Sequence, residues 1–368
     1  MTQTVIVGLS GGVDSAVSAW LLQQQGYRVS AVFMRNWDDD GGKYCTAQQD
    51  FLDACQVAEH LGIELAVANF TAEYKEKVFS QCLKLLKQGM TPNPDVWCNS
   101  QIKFGAFLDY VADRADLIAT GHYARLRRDG DGVTHLLRAR DERKDQSYFL
   151  HQLNQHQLSH CLFPLGEWHK TDVRAKAMEI GLSNFNRPDS TGICFIGERP
   201  FAEFLREHLP EEQGEMVDPQ GKVVGQHQGL AFYTLGQRKG LGIGGSKNGN
   251  GEAWYVAGKD LERNQLVVVQ GEDHPLLYGR EVRVCPMHWI NEKMDRKNLA
   301  RDKVFATIRY RQAPMTCSAV FEEWDEESAA CVLGVRFAEP QKAVTPGQFA
   351  VLYQGDECVG GGVIARPR

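Results

Sequence analysis

The stretch that constrains this chain most is Gly8-Leu9-Ser10-Gly11-Gly12-Val13-Asp14-Ser15. It follows the β-branched run Val5-Ile6-Val7. It precedes Val13, Val17, Trp20 and Leu21 at helical spacing, with Gly26 as the stop. A strand that turns into a helix through paired glycines gathers backbone N–H groups and a helix N-terminus at one point. Gly11 and Gly12 can take φ > 0 and let an anion approach closely, and Ser10 and Ser15 add hydroxyls. The pattern predicts an oxyanion cradle at the carboxyl end of a parallel strand. The sequence contains no G-x-x-x-x-G-K-[ST], so this is not a Walker loop.

The strand and helix patterns around it alternate. Val29–Met34, Leu65–Phe70 and Leu117-Ile118-Ala119 read as strands. Helical faces fall on Phe51, Cys55, Ala58 and Leu61 (with Thr46 as cap), on Tyr74, Val78, Cys82 and Leu85, and on Phe104, Phe107, Leu108 and Val111. This order predicts an α/β domain with a Rossmann-like parallel sheet over residues 1–210, its last helical face being Phe201, Phe204 and Leu205. From Gly214 short β runs alternate with turns such as Asp218-Pro219-Gln220-Gly221. Residues 211–279 are predicted to form a small β-rich central domain. Residues 280–368 are predicted to form an antiparallel β-barrel, on the runs Arg283-Val284, Val304–Tyr310, Thr316–Phe321, Ala330–Phe337, Phe349–Tyr353 and Cys358–Ile364. Gly240–Gly245 matches G-x-G-x-x-G but lacks a following helix, so it reads as part of a glycine-dense loop over 235–251.

Composition narrows the class. At 368 residues the chain should hold two or three domains. No apolar run approaches the roughly 18 residues of a membrane span, and the strand at the start leaves no room for a signal peptide, so a cytoplasmic address is expected. The net charge of −6 confines any nucleic-acid surface to a local patch. Residues 280–311 carry nine Lys/Arg against four Asp/Glu, and Arg125, Arg127, Arg128, Arg138 and Arg140 form a second basic strip. Ten cysteines without a C-x-x-C pair suit neither a disulfide framework nor a zinc ribbon, and most read as packing residues. No carboxylate cluster nominates a metal site.

Two cysteines stand apart. In Thr91-Pro92-Asn93-Pro94-Asp95-Val96-Trp97-Cys98-Asn99 the prolines fix the backbone ahead of a predicted helix. Asp95 and Cys98, three apart, would share a face of its first turn, where the helix N-terminus favours a thiolate. Asp95 would oppose that charge unless it carries a proton. A helix cap beside a buried structural cysteine explains the segment equally well. In Asp189-Ser190-Thr191-Gly192-Ile193-Cys194-Phe195-Ile196-Gly197-Glu198-Arg199, glycines bracket Cys194 in a loop-like setting, with a structural cysteine as the alternative.

The glycine loop resembles that of the PP-loop ATP pyrophosphatases. Taken in order with P-N-P-D-x-x-C, A-T-G-H-Y (Ala119–Tyr123), K-D-Q-S-Y-F-L (Lys144–Leu150), S-T-G-I-C-F-I-G-E-R, G-L-G-I-G-G and R-Y-R-Q (Arg309–Gln312), it is similar to the tRNA-specific 2-thiouridylases, the MnmA/TrmU family, over nearly the whole chain. The resemblance implies ATP-dependent adenylation of the C2 oxygen of the wobble uridine, then sulfur transfer from a cysteine persulfide. It implies Cys194 as the persulfide carrier, Cys98 as the thiol that attacks it, releasing sulfide or closing a Cys98–Cys194 disulfide, and Asp95 as general acid/base. It places Gly8, Leu9, Ser10, Gly11, Gly12, Val13, Asp14, Ser15, Met34 and Gly121 around ATP, with Asn93, Pro94 and Asp95 on the target base. It assigns His122, Lys144, Asp145, Gln146, Arg309, Tyr310 and Gln348 to tRNA. Magnesium is expected with ATP. The implied partners are the tRNAs for Lys, Glu and Gln, and a sulfur-relay protein or cysteine desulfurase. The competing readings are an amide-forming PP-loop ligase, which has no use for paired thiols, and a non-enzymatic RNA-binding module.

Overall fold

The computed structural model describes residues 2–37, 47–189, 201–243, 251–292, 303–325 and 330–366. Strands β1 (Thr4–Gly8), β2 (Arg28–Arg35), β3 (Leu65–Asn69) and β4 (Leu117–Ala119) form a parallel sheet. After a hairpin of β5 (Arg125–Arg128) and β6 (Thr134–Leu137), the short β7 (Cys161–Leu162) completes it in the order β3-β2-β1-β4-β7. The chain runs outward from β1 to β3 and then returns to the other side of β1. The crevice between the carboxyl ends of β1 and β4 is therefore the switch point at which open parallel sheets bind ligands.

Both faces of the sheet are covered. Helix α1 (Val13–Gln24) and the helix Lys170–Glu179 pack Val13, Val17, Leu21, Val173 and Ala177 on one side. Val96, Cys98, Ile102, Phe104 and Phe107 fill the other. Gly26 at φ +85° closes α1 where the sequence predicts its stop. Tyr74, Val78 and Cys82 are buried as predicted, but Leu86 rather than Leu85 completes that face. A π-helical turn over Lys75–Phe79 widens the repeat to four. Thr46, the predicted cap of α2 (Ala47–Leu61), lies outside the described residues.

Strands β8 (Gly214–Val217), β9 (Val223–His227), β10 (Trp254–Asp260) and β11 (Gln265–Gln270) make the central sheet. Asp218 turns β8 into β9 by accepting from the backbone N–H groups of Gln220 and Lys222. Residues 240–243 form no helix, and Gly244 and Gly245 lie outside the described residues. Then β12 (Tyr278–Trp289), β13 (Val304–Thr307), β14 (Met315–Asp325), β15 (Ala330–Lys342), β16 (Phe349–Gln354) and β17 (Glu357–Ile364) close a six-stranded antiparallel barrel through the β12–β17 pairing. The six predicted runs are all present.

The sequence does not predict the hairpin that joins the two ends of the chain. β6 pairs with β17, Leu137 opposite Glu357 and Leu136 opposite Cys358, so the α/β domain contributes two strands to the barrel's sheet. This corrects the reading of the second basic strip. Arg125 pairs with Asp356 at 3.0 Å, and Arg127 with Glu357 at 3.4 Å. Arg138 faces Asp145 at 3.6 Å, and Arg128 donates to the carbonyls of Ser159 and Cys161. Four of the five arginines are thus engaged within the protein, and Arg140 stays exposed. Among the described residues no helix is long and apolar enough to cross a membrane.

Candidate active site

The loop after β1 folds around the Ser15 hydroxyl. That oxygen accepts from the Ser10 N–H at 3.2 Å, lies 3.2 Å from Ser10 Oγ and donates to the Gly12 carbonyl at 3.1 Å. Gly11 has φ +77°, and a Cβ there would stand 2.3 Å from the Asp50 carbonyl oxygen, so both conformation and space demand glycine. Its own carbonyl accepts from Asn184 Nδ2 at 2.8 Å and from Arg187 Nη1 at 3.4 Å. Leu9 and Val13 bury their side chains in the core and leave only backbone groups for an anion. Gly121, just past β4, packs onto the same loop: a Cβ would meet Ser15 N at 2.7 Å. A Cβ on Gly8 would meet Met34 Cε at 2.9 Å, which places Met34 beside the end of β1 in a buried patch with Phe107.

Charge is arranged tightly around this cradle. Lys170 Nζ lies 2.7 Å from both carboxylate oxygens of Asp14 and 2.8 Å from Asp189. The Tyr123 hydroxyl donates to Asp14 at 2.8 Å, and burial together with the Asp14 charge pushes its pKa up. Asp189 is further held by Lys144 and, at 3.1 Å, by Arg174. Although burial opposes it, these hydrogen bonds and cations hold its carboxyl far below the usual range. Arg187 bridges Asp50 and Asp53 of α2. Lys170, Asn184 and Arg187 are absent from the sequence prediction, because nothing in their local spacing marks them; Tyr123 ends the A-T-G-H-Y motif but is given no role there. The nearest signal is Trp168-His169-Lys170-Thr171-Asp172 at the start of a helix.

The Asp95–Cys98 segment differs in part from its prediction. Asn93 caps the short helix Pro94–Trp97, its side chain accepting from Asp95 N at 3.2 Å, with proline at the first helical position. Cys98 follows that turn. Its N–H bonds back to Pro94 and Asp95, and a π-helical stretch Cys98–Ala106 continues from it. The thiol therefore lies one turn beyond the helix N-terminus and is 1% exposed, so the first-turn argument for a thiolate does not apply. Asp95 is half-buried. A third thiol, Cys82, is raised to about 12 by burial and by the nearby Asp95 charge, which removes it from thiolate chemistry near neutral pH. Cys194 lies outside the described residues.

The barrel presses on this segment. Gln348 Nε2 donates to the carbonyls of Thr91 (2.8 Å) and Pro92 (3.3 Å), Thr91 N–H donates to Pro346 O, and Trp97 meets Phe349 edge-on at 5.7 Å. Gln348, a predicted tRNA contact, thus clamps this segment through its Nε2 and is half-buried.

Three more of the predicted tRNA contacts have partners within the protein; His122 is buried, and Asp145 and Gln146 are half-buried. His122 is buried against Phe104 and Phe163, bonds Thr120 at 2.7 Å, and is held neutral by burial and the Lys103 charge. Asp145 accepts from Ala139 N–H and the Ser147 hydroxyl, and burial raises its carboxyl. The Gln146 side chain accepts from Tyr123 N–H at 2.9 Å. Lys144 is on Asp189. Arg309 remains exposed, and Tyr310 packs against Phe149 with ring centroids 4.5 Å apart and planes tilted by 49°; the Phe149 carbonyl accepts from Asn99 Nδ2 at 3.4 Å. Among the described residues no group of three metal-ligating side chains occurs.

Comparison with known proteins gives three consecutive family matches. Residues 3–198 match a tRNA methyl transferase HUP domain, 202–270 a tRNA methyl transferase PRC-barrel domain, and 279–364 an aminomethyltransferase beta-barrel domain. Over its full length the chain is 56% identical to the tRNA-specific 2-thiouridylase MnmA of Cupriavidus metallidurans, covering 98% of both chains. It is 54% identical to that of Ralstonia pickettii, covering 98% of this chain and 95% of the relative. The domain descriptions speak of methyl transfer and the full-length relatives of thiolation. The full-length matches decide, since they span all three domains in one alignment.

Proposed function

The chain belongs to the tRNA-specific 2-thiouridylase family, and from that membership we propose that it converts a tRNA uridine to 2-thiouridine at the expense of ATP. The observation that carries the proposal is an anion cradle at the end of β1 whose first glycine packs against Met34 and Phe107, in the same buried core as Val96 and Cys98 of the Asn93–Cys98 segment.

The chemistry follows from those groups. Uridine C2 is an unreactive carbonyl carbon whose oxygen is a poor leaving group. The Gly8–Ser15 loop, Met34 and Gly121 bind ATP, and the loop's N–H groups hold the leaving pyrophosphate while the C2 oxygen takes up AMP. Magnesium would come with the triphosphate, because Asp14 is already neutralised by Lys170. Asn93, Pro94 and Asp95 position the base, and Asp95 carries the proton. The terminal sulfur of a persulfide on Cys194 attacks C2, and AMP departs with the former oxygen. The Cys98 thiolate attacks Cys194 Sγ and breaks the S–S bond. The bond's electron pair stays with the transferred sulfur, and a Cys98–Cys194 disulfide forms. A thiol reductant then resets the pair. Cys98 is buried before this step, so the exchange needs the segment to open.

The exposed Arg309, with Tyr310 beside it and the basic run over 280–311, supports a tRNA surface that works by phosphate contact. The target base leaves its stack to reach the nucleotide, as other base-modifying enzymes require. The tRNAs for Lys, Glu and Gln, a persulfide supplied by a cysteine desulfurase or relay protein, and a cytoplasmic setting complete the proposal. The test is mass spectrometry of tRNA from cells lacking the protein, together with product analysis in vitro. Loss of 2-thiouridine, with AMP and pyrophosphate formed, is expected. Unchanged 2-thiouridine, or ADP and phosphate as products, would overturn it.

A further inference from the structure

Among the described residues, the side-chain amide of Asn36 is buried with neither its nitrogen nor its oxygen given a hydrogen-bond partner. Asn36 is 1% exposed. Proteins rarely leave a buried amide with neither donor nor acceptor satisfied, because desolvation of both is then uncompensated. Its backbone is held from both sides. The last bond of the β2–β3 ladder region, Phe70 N–H to Arg35 O at 2.8 Å, ends immediately before it. Trp37, immediately after it, is wedged edge-on among Tyr74, Phe79 and Phe204. A fixed backbone with an idle amide is the condition of a recognition group that waits for its partner.

The position indicates which partner. Asn36 stands one residue past the carboxyl end of β2, on the side where the cradle opens. It lies two residues on from Met34, and strand alternation puts it on Met34's face of the sheet. Met34 is the residue that closes against Gly8. A carboxamide presents one donor beside one acceptor. Its planar complement is a nucleobase edge with an acceptor beside a donor, and asparagine pairs with adenine in this way. Adenine of ATP and the target uracil both offer such an edge. Adenine is favoured because Asn36 follows directly on the strand of Met34, while Asn93–Asp95 come from another segment.

We propose that Asn36 reads the adenine edge of ATP and sets the enzyme's preference for that base. The inference rests on the ATP-dependent reading of the site. The test measures competitive binding of ATP and ITP analogues with a non-hydrolysable α,β bridge to the full-length protein with tRNA present. At the N6/N7 edge that asparagine pairs with, inosine replaces adenine's amino donor with a carbonyl, so two acceptors face a carboxamide that holds one donor, whichever way the amide is turned. Asn36→Leu is expected to keep or raise the Tm without nucleotide, to weaken the ATP analogue at least tenfold, and to reduce the ATP-over-ITP preference to within about threefold. Asn36→Asp, acceptor only, loses the bond to N7 and keeps the one from the adenine amino group, so it is expected to weaken the ATP analogue at least threefold while still favouring it over ITP, and it carries the test if the leucine variant folds poorly. An unchanged ATP-to-ITP ratio in the leucine variant, or an unchanged ATP-analogue affinity in the aspartate variant, would overturn the inference. Weakened tRNA binding with unaltered ATP analogue binding would also overturn it, and would move the amide to the target uracil. A wild-type protein that binds neither analogue would instead refute the ATP-dependent function itself.

Discussion

The side chain of Gln348, in the barrel, donates to the carbonyl of Thr91, in the α/β domain, at 2.8 Å. Thr91 begins the segment that carries Asn93, Asp95 and Cys98, so this bond fixes the reactive segment from outside its own domain. Gln348→Ala is expected to lower kcat for thiolation about tenfold while tRNA affinity stays within a few-fold. A tRNA contact would give the reverse split, with affinity falling and kcat kept. Turnover against tRNA concentration separates the two.

Cys98→Ser and Cys194→Ser are each expected to abolish thiolation and to leave tRNA binding within a few-fold. Cys82→Ala, which removes the inert thiol beneath Asp95, is expected to retain most activity at a modest cost in stability, about 1 kcal/mol. Single-turnover formation of 2-thiouridine measures all three. Normal turnover in either serine variant would refute its assigned role.

Gly121→Ala tests the approach of β4 to the cradle. The added methyl would stand 2.7 Å from the Ser15 nitrogen, a backbone atom that cannot swing away. ATP binding by calorimetry should weaken more than tenfold with little change in tRNA binding. An affinity equal to wild type would show that the loop tolerates displacement.

The proton balance of folding predicts acid sensitivity. Burial lowers His151 to about 3, and it also lowers His122 and His288. An unfolded histidine titrates near 6.5, so below that pH the unfolded chain binds more protons and stability falls as pH falls. His151 alone accounts for about 2 kcal/mol between pH 6.5 and 5. His135 works in the opposite sense: burial lowers it, but hydrogen bonds to Glu357 and Asp129 raise it further, so its contribution is lost as pH rises. The urea midpoint should drop from pH 7.5 to 5, and by less in His151→Asn. A flat profile would contradict the assignment.

Arg309→Ala should weaken tRNA binding and flatten its salt dependence by about one unit of slope. An unaltered slope would locate the phosphate contacts elsewhere.

What could be read from the sequence was what local pattern encodes. Val5–Val7 with the glycine loop marked β1, α1 and the cradle, because strand, turn and helix are contiguous there. The barrel strands were legible through alternation and the turns between them. The networks that cross the fold were not. Lys170 meets Asp14 from 156 residues away, and Gln348 meets Thr91 from 257, separations that no spacing rule reaches. His122 and Asp145 show what motif reading leaves out: each is a polar residue inside a recognisable motif, and its partners within the fold, Thr120 for one and Ala139 and Ser147 for the other, are invisible in the spacing.

The β6–β17 pairing also sets a timetable for synthesis. His135 leaves the ribosome 222 residues ahead of its partner Glu357. At about 5–20 residues per second, the hairpin's open edge waits about 10 to 45 s for the strand that will cover it. During that interval the nascent chain exposes a strand edge able to pair with another copy, so production of this protein should depend on chaperone capacity more than its final stability would suggest.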